Sequence, residues 1–114
     1  MFTVLVQFNL PEDMGRQEFV AHCRKTADQW KENPRLLHKT YLYDPLTRRG
    51  GAVFLWEDSA AAALALTDAW RHQMTEFYGS EPAIQTFEAP VVIAASGTTG
   101  IIEDPAEDDS SRPD

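Results

Sequence analysis

The sequence has few of the residues that build disulfide, metal or nucleotide sites. Its single cysteine, Cys23, excludes a disulfide within the chain and favours a reducing compartment. The three histidines, His22, His38 and His72, lack the spacing of a metal site. No glycine-rich phosphate-binding loop is present, so a tightly held nucleotide is not expected. We therefore expect a protein that uses no metal and no cofactor.

Long apolar runs and positive charge are also scarce. No run approaches the roughly 20 residues of a membrane-spanning helix, and the N-terminus lacks the basic start of a signal peptide. The net charge is −8, and residues 97–114 contain six acidic residues and one arginine. An acidic chain disfavours both nucleic acid and an anionic membrane surface. We therefore expect a cytoplasmic protein that acts on a small molecule, without nucleic-acid or membrane partners.

Four apolar stretches predict the strands of one sheet. Phe2–Asn9 is largely apolar on both faces and Ala52–Trp56 is wholly apolar, which is typical of buried central strands. Leu36–Tyr43 contains charged side chains and Pro82–Glu88 begins with a proline, and both features suit the edges of a sheet.

Two amphipathic helices are predicted between these strands. The first follows an N-cap at Asp13 and ends before Pro34, because the residue before a proline avoids the helical region. The second follows Asp58 and ends at Gly79. The order βαββαβ predicts a ferredoxin-like α+β fold, a four-stranded antiparallel sheet with two helices on one face. Because the other face needs a cover, we expect a homodimer.

The boundaries follow from composition. Residues 1–93 are predicted to form one domain, and the apolar stretch within 90–96 is predicted to be an arm that packs on the partner subunit. Residues 97–114 are polar, acidic and free of aromatic side chains, which predicts a disordered tail.

Four segments carry a resemblance to a known family, namely Pro34–Tyr41, Gly50–Glu57, Tyr78–Pro82 and Phe87–Val92. Through them the chain resembles the YdhR-like monooxygenase family of the dimeric α+β barrel superfamily between about Phe2 and Ile93. The resemblance implies a dimeric barrel and, through relatives of that family, an oxygenase that acts without a cofactor on aromatic polyketides.

The candidate catalytic residues lie in the second strand. His38 is the first candidate for a base, since its ordinary pKa is about 6.5, and Tyr41 is a possible phenol donor. Side chains alternate along a strand, so these two point to opposite faces and only one can line a given cavity. The sequence does not decide the face, and an exposed edge position for His38 is the alternative.

Candidate substrate-binding residues lie on the other elements. Trp30, Trp56 and Trp70 could wall a site for an aromatic ligand, although such tryptophans are more often ordinary core. Asn9 ends the first strand with an amide that could orient a carbonyl group. His22 borders the apolar stripe of the first helix and could face the gap between helix and sheet.

Three functions are compatible with these observations. The first is a cofactor-independent monooxygenase that acts on a small aromatic or polyketide-like molecule. The second is a non-oxidative cyclase or isomerase, and the third is a non-catalytic protein that binds a small ligand. Oxygen uptake distinguishes the first, and stabilisation by a ligand without turnover distinguishes the third.

Overall fold

The computed structural model describes residues 1–94 and 100–103. Three helices are present in these ranges: α1 (Arg16–Lys31), α2 (Ser59–Ala65) and α3 (Asp68–Tyr78). The strands are β1 (Phe2–Asn9), β2 (Leu36–Asp44), β3 (Arg49–Trp56), β4 (Ala83–Glu88), β5 (Val91–Ala94) and β6 (Gly100–Glu103).

The first four strands form one antiparallel sheet in the order β2-β3-β1-β4. This confirms the predicted ferredoxin-like fold, with the two most apolar strands, β1 and β3, at its centre. Val4 pairs with Phe54 on the face that the helices cover, and each is only 1% exposed. Leu5 pairs with Val53 on the opposite face, and neither side chain is fully buried. The described helices therefore cover one side of the sheet, and the other side is open.

A bulge near the start of β2 sets which of its side chains face the helices. Leu36 pairs with Trp56, and His38 pairs with Leu55, the neighbour of Trp56 on β3. Leu37 is therefore the extra residue. Beyond the bulge the strand is regular, and Lys39 lies on the helix-covered face. The alternation therefore places His38 on the open face.

The first helix begins two residues later than the sequence predicts. Gly15 is the N-cap residue, and its backbone N–H donates to the Glu18 carboxylate over 2.8 Å. Asp13 was predicted as the cap and lies outside the helix. Glu18 at the third helical position provides this capping interaction in place of a side chain at the cap itself.

The second predicted helix is two helices. Asp58 caps α2 by accepting from the N–H of Ala61 over 2.8 Å, and Gly79 ends α3 in the left-handed conformation, as predicted. Between them the hydroxyl of Thr67 accepts from the N–H of Trp70 over 3.1 Å. This cap starts a new helix, and therefore the predicted single helix is wrong at this point.

The hairpin of β5 and β6 corrects part of the predicted tail. Val92 pairs with Ile102 and Ile93 with Ile101, so residues 100–103 form a strand within the range that was predicted to be disordered. Two adjacent isoleucines favour a strand, and the acidic composition around them obscured that preference. Residues 95–99 and 104–114, which include the end of the predicted 90–96 arm, lie outside the described ranges. The packing of the 90–96 arm on a partner stays a prediction.

None of the helices within residues 1–94 is long and apolar enough to span a membrane.

Candidate active site

A cavity of about 300 Å³ lies between the helix-covered face of the sheet and helices α1 and α3. Eight of its seventeen lining residues are Phe, Tyr or Trp, and they include Phe8, Phe19, Trp30, Phe54, Trp70 and Phe77. The polar side chains that reach it include His22, Thr26, Gln29, Lys39, Tyr41 and Gln73. None of its lining residues is an aspartate or a glutamate.

Helical and strand periodicity explain why these side chains meet. His22, Thr26 and Trp30 are four residues apart on α1, and this spacing puts them in one row on the same helix face. On β2, Lys39 and Tyr41 are two residues apart and point to the same side of the sheet. The cavity is thus the space between one row of α1, the matching face of α3 and the sheet.

Lys39 is the one Lys or Arg side chain among the lining residues. Its Nζ lies 3.9 Å from the ring centroid of Trp30, 4.3 Å from that of Tyr41 and 4.6 Å from that of Phe54. Burial lowers the pKa of Lys39 from 10.5 to about 7. The ring faces act in the opposite direction because they attract the ammonium group. No carboxylate forms an ion pair with Lys39 in residues 1–94.

The hydroxyl groups of Tyr41 and Thr26 form a short chain of hydrogen bonds. Thr26 Oγ1 donates to the carbonyl oxygen of Cys23 over 3.1 Å. Thr26 Oγ1 also lies 3.0 Å from the hydroxyl oxygen of Tyr41. Thr26 has one hydroxyl proton, so Tyr41 is the donor in the second bond. Burial raises the pKa of Tyr41, which keeps its phenol neutral at physiological pH.

His22 is the second side chain of the cavity that can act as a base. Its ring stacks on Phe77 with a centroid distance of 4.0 Å and meets Tyr78 edge-on at 5.5 Å. Burial, followed by the charges of Lys25 and Lys39, lowers the pKa of His22. The imidazole is therefore neutral near pH 7 and can accept a proton. Burial also raises the pKa of Tyr78.

The structure brings four of the predicted site residues to the cavity: His22, Trp30, Tyr41 and Trp70. His38, the other candidate base, is exposed on the open face of the sheet and does not reach the cavity.

Asn9 and Trp56 also lie away from the cavity. Asn9 is exposed at the end of β1, where its backbone exchanges hydrogen bonds of 3.1 and 3.0 Å with the Ser80 hydroxyl. Trp56 is 0% exposed and stacks on Phe54 in the core. Its indole N–H has no hydrogen-bond partner in the part of the chain that the structure describes. Trp56 therefore supports the site only through core packing.

Lys39 is the functional candidate that the sequence analysis missed. The charge of Lys39 favours an edge strand, and β2 does lie at the edge of the sheet. The available signal was its alternation with Tyr41 and Tyr43, because a lysine in an aromatic row faces the same way as the rings.

Comparisons with protein-family models and with curated proteins give no match. Solved structures do match. SnoaB, a cofactor-independent oxygenase from Streptomyces nogalater, is 21% identical over 77% of this chain and 91% of its own, with a TM-score of 0.59. The ActVA-Orf6 monooxygenase of Streptomyces coelicolor, in complex with nanaomycin D, is 17% identical over 83% and 92%, with a TM-score of 0.61.

This chain has the fold of the antibiotic biosynthesis monooxygenases. A protein of unknown function from Nitrosomonas europaea has the same fold, with 14% identity over 87% of this chain and 95% of its own and a TM-score of 0.64. At these identities the antibiotic biosynthesis monooxygenases establish the architecture, and the reaction has to be argued from the cavity.

Proposed function

We propose that this chain is a cofactor-independent monooxygenase that acts on a small aromatic or polyketide-like molecule. The supporting observation is the aromatic cavity, which holds two groups able to accept a proton near neutral pH, His22 and Lys39. An apolar cavity with a few convergent polar groups is the usual form of a small-molecule site. That SnoaB is named a cofactor-independent oxygenase adds support.

Such a reaction needs a base and a substrate that can reduce dioxygen. With an anthrone as the example, the base removes a proton from the ring CH₂ group and leaves a carbanion. The carbanion gives one electron to dioxygen, and the two radicals combine to form a peroxide, which takes back the proton. Loss of water then leaves a carbonyl group. One oxygen atom stays in the product, the other leaves as water, and all four electrons come from the CH₂ group.

The cavity supplies what this sequence of steps requires. His22 or Lys39 accepts the proton, and a general base typically contributes about 100-fold or more to the rate. The aromatic wall reduces the contact of the carbanion and the peroxide with water. Tyr41 lines the cavity and its hydroxyl proton is donated to Thr26, so its oxygen can accept a hydrogen bond from a substrate hydroxyl.

Oxygen uptake tests this proposal. Purified protein with anthrone and no added metal or flavin should consume one dioxygen per anthraquinone formed, above the rate without protein. With ¹⁸O₂, one labelled atom should appear in the quinone. His22→Asn should lower the rate by about 100-fold if this imidazole is the base. His72→Asn is the matched control, since His72 is exposed on α3 and pairs with Glu76.

The other outcomes identify the alternative functions. A product formed without oxygen uptake would indicate a cyclase or isomerase. Binding of aromatic ligands with no product from anthrone or from a hydroquinone would indicate a ligand-binding protein.

A further inference from the structure

Building on the proposed function, we infer that the cavity binds a flat aromatic molecule as its anion, with the charged oxygen of the ligand paired to the Lys39 ammonium group. The inference names the class of ligand, an aromatic carboxylate or phenolate, and the group that selects it. It rests on charge, hydrogen bonding and shape.

The charge of the cavity is opposite to that of the chain. The chain as a whole carries −8, yet the lining residues contain one lysine and no acidic residue. Every carboxylate that takes part in a described ion pair lies elsewhere, for example Asp58 with Arg35 over 2.6 Å. Among the described ion pairs, none neutralises the charge of Lys39, so an anionic ligand in the cavity would be its counterion.

The hydrogen bonds of the cavity also point to Lys39. The proton of Tyr41 is donated to Thr26, and that of Thr26 to Cys23, so neither hydroxyl has a free proton for a ligand. Aromatic rings surround the ammonium on several sides, but they do not form the N–H···O hydrogen bonds that a carboxylate would form with it. A ligand oxygen here would form a charge-assisted hydrogen bond in an apolar setting, where such bonds are strong.

The shape of the cavity suits a flat ring system. Trp30 and Phe54 flank Lys39 and meet edge to face, with a centroid distance of 5.2 Å and an interplanar angle of 67°. Trp70 and Phe77 extend the aromatic wall from α3. A ligand of two or three fused rings can contact these faces while its anionic oxygen reaches Nζ.

A matched pair of ligands tests the inference by calorimetry. The probes are 2-naphthoate, an anion at pH 6 and pH 8, and 2-naphthamide, its neutral analogue of nearly the same shape. The full-length protein should bind naphthoate at least tenfold more tightly than naphthamide. Lys39→Met should reduce this preference to less than twofold and leave naphthamide binding in place, which also shows that the variant is folded. Lys31→Met is the control, because Lys31 is an exposed lysine of α1 outside the cavity.

Proton uptake gives a second test that needs no variant. Free Lys39, with a pKa of about 7, is largely neutral at pH 8 and largely charged at pH 6. An anion bound beside it favours the ammonium form and raises its pKa. Naphthoate binding should therefore take up most of one proton at pH 8 and almost none at pH 6, measured in buffers of different ionisation enthalpy.

Equal affinity for the two probes would overturn the inference. So would a naphthoate preference that survives Lys39→Met, or no naphthoate binding at millimolar concentration. Lys39-dependent binding without oxygen uptake from anthrone or a hydroquinone would support the anion site and reject the proposed reaction. Oxygen uptake together with Lys39-independent binding would reject the anion site alone.

Discussion

Lys39 is subject to two opposing electrostatic effects. Loss of water contacts favours the neutral amine, while the faces of Trp30, Tyr41 and Phe54 favour the ammonium. A group balanced in this way near neutral pH can exchange a proton at little cost. That property suits an acid–base residue, and it also lets a bound anion change the charge of the site.

The balance at Lys39 predicts a pH dependence of stability. Its pKa is about 7 in the folded chain and 10.5 in a free lysine, so unfolding takes up a proton between these values. Lowering the pH from 9 to 7 therefore favours unfolding through this group. Urea denaturation should show that Lys39→Met is more stable than the natural chain at pH 7 and that its advantage shrinks at pH 9.

The comparison with Lys39→Met isolates this effect from that of Cys23. Burial raises the pKa of the Cys23 thiol to about 11, so Cys23 acts with the opposite sign as the pH rises past 9. Lys39 also lowers the pKa of this thiol, but with a pKa of about 11 the folded thiol stays protonated up to pH 9 in both proteins, so its contribution cancels in the difference between pH 7 and pH 9. A stability difference that is the same at pH 7 and pH 9 would contradict a lowered pKa at Lys39.

Part of the site follows from sequence periodicity, and part depends on register. Trp30 and His22 could be predicted because side chains spaced by multiples of four residues stay on one side of a helix. Tyr41 and Lys39 share one face of β2, and the sequence could not separate that face from the face of His38. The choice between these neighbours depends on which face of β2 meets the helices, and that follows from its pairing with β3.

At the scale of elements, β1 and β3 are pressed together where the sheet borders the cavity. A Cβ atom added at Gly51 would lie 2.0 Å from the backbone oxygen of Val6. No side-chain adjustment can relieve a clash with backbone in the middle of a sheet. Glycine is therefore required at this position, which lies in the cavity wall beside Ala52.

Gly51→Ala should destabilise the protein by about 3 kcal/mol or more, since overpacking at a rigid site typically costs 1–3 kcal/mol. Gly79→Ala is the control, because nothing lies near its added Cβ and only the left-handed backbone, with φ of 76°, opposes it. That variant should lose about 1 kcal/mol. Urea denaturation measures both, and equal losses would show that the strands separate easily at Gly51.

The element order could be predicted because each strand and helix has its own period, but the break between α2 and α3 could not. The alanine run 60–63 and the apolar spacing that follows favour one continuous helix. The break depends on Thr67, whose hydroxyl competes for a backbone N–H, and a threonine can equally lie within a helix.

At the scale of the whole molecule, the described helices leave one face of the sheet open. Leu5, Val53 and Leu55 lie at its centre on β1 and β3, and Phe87 on β4 is 51% exposed. An apolar sheet face of this kind normally has a cover. A second copy of the chain fits this surface, because the same apolar strip is present on both copies.

We therefore predict a homodimer formed through the open faces. Light scattering at micromolar concentration should give twice the mass of one chain, and Leu55→Glu should give the mass of a single chain. Leu64→Glu is the control, since Leu64 is 74% exposed on α2. A natural chain that stays monomeric, or a Leu55→Glu variant that stays dimeric, would contradict this arrangement. In such a dimer His38 would be covered and would not be a catalytic group.

The position of Lys39 above the ring of Trp30 has an optical consequence. A charge 3.9 Å from an indole ring changes the energy of the excited state relative to the ground state, and this shifts the wavelength of the fluorescence maximum. Trp56 is enclosed in the core and Trp70 lines the cavity without a described contact to the ammonium, whereas Lys39 Nζ lies over the ring of Trp30. The emission wavelength of Trp30 should therefore report whether Lys39 is charged.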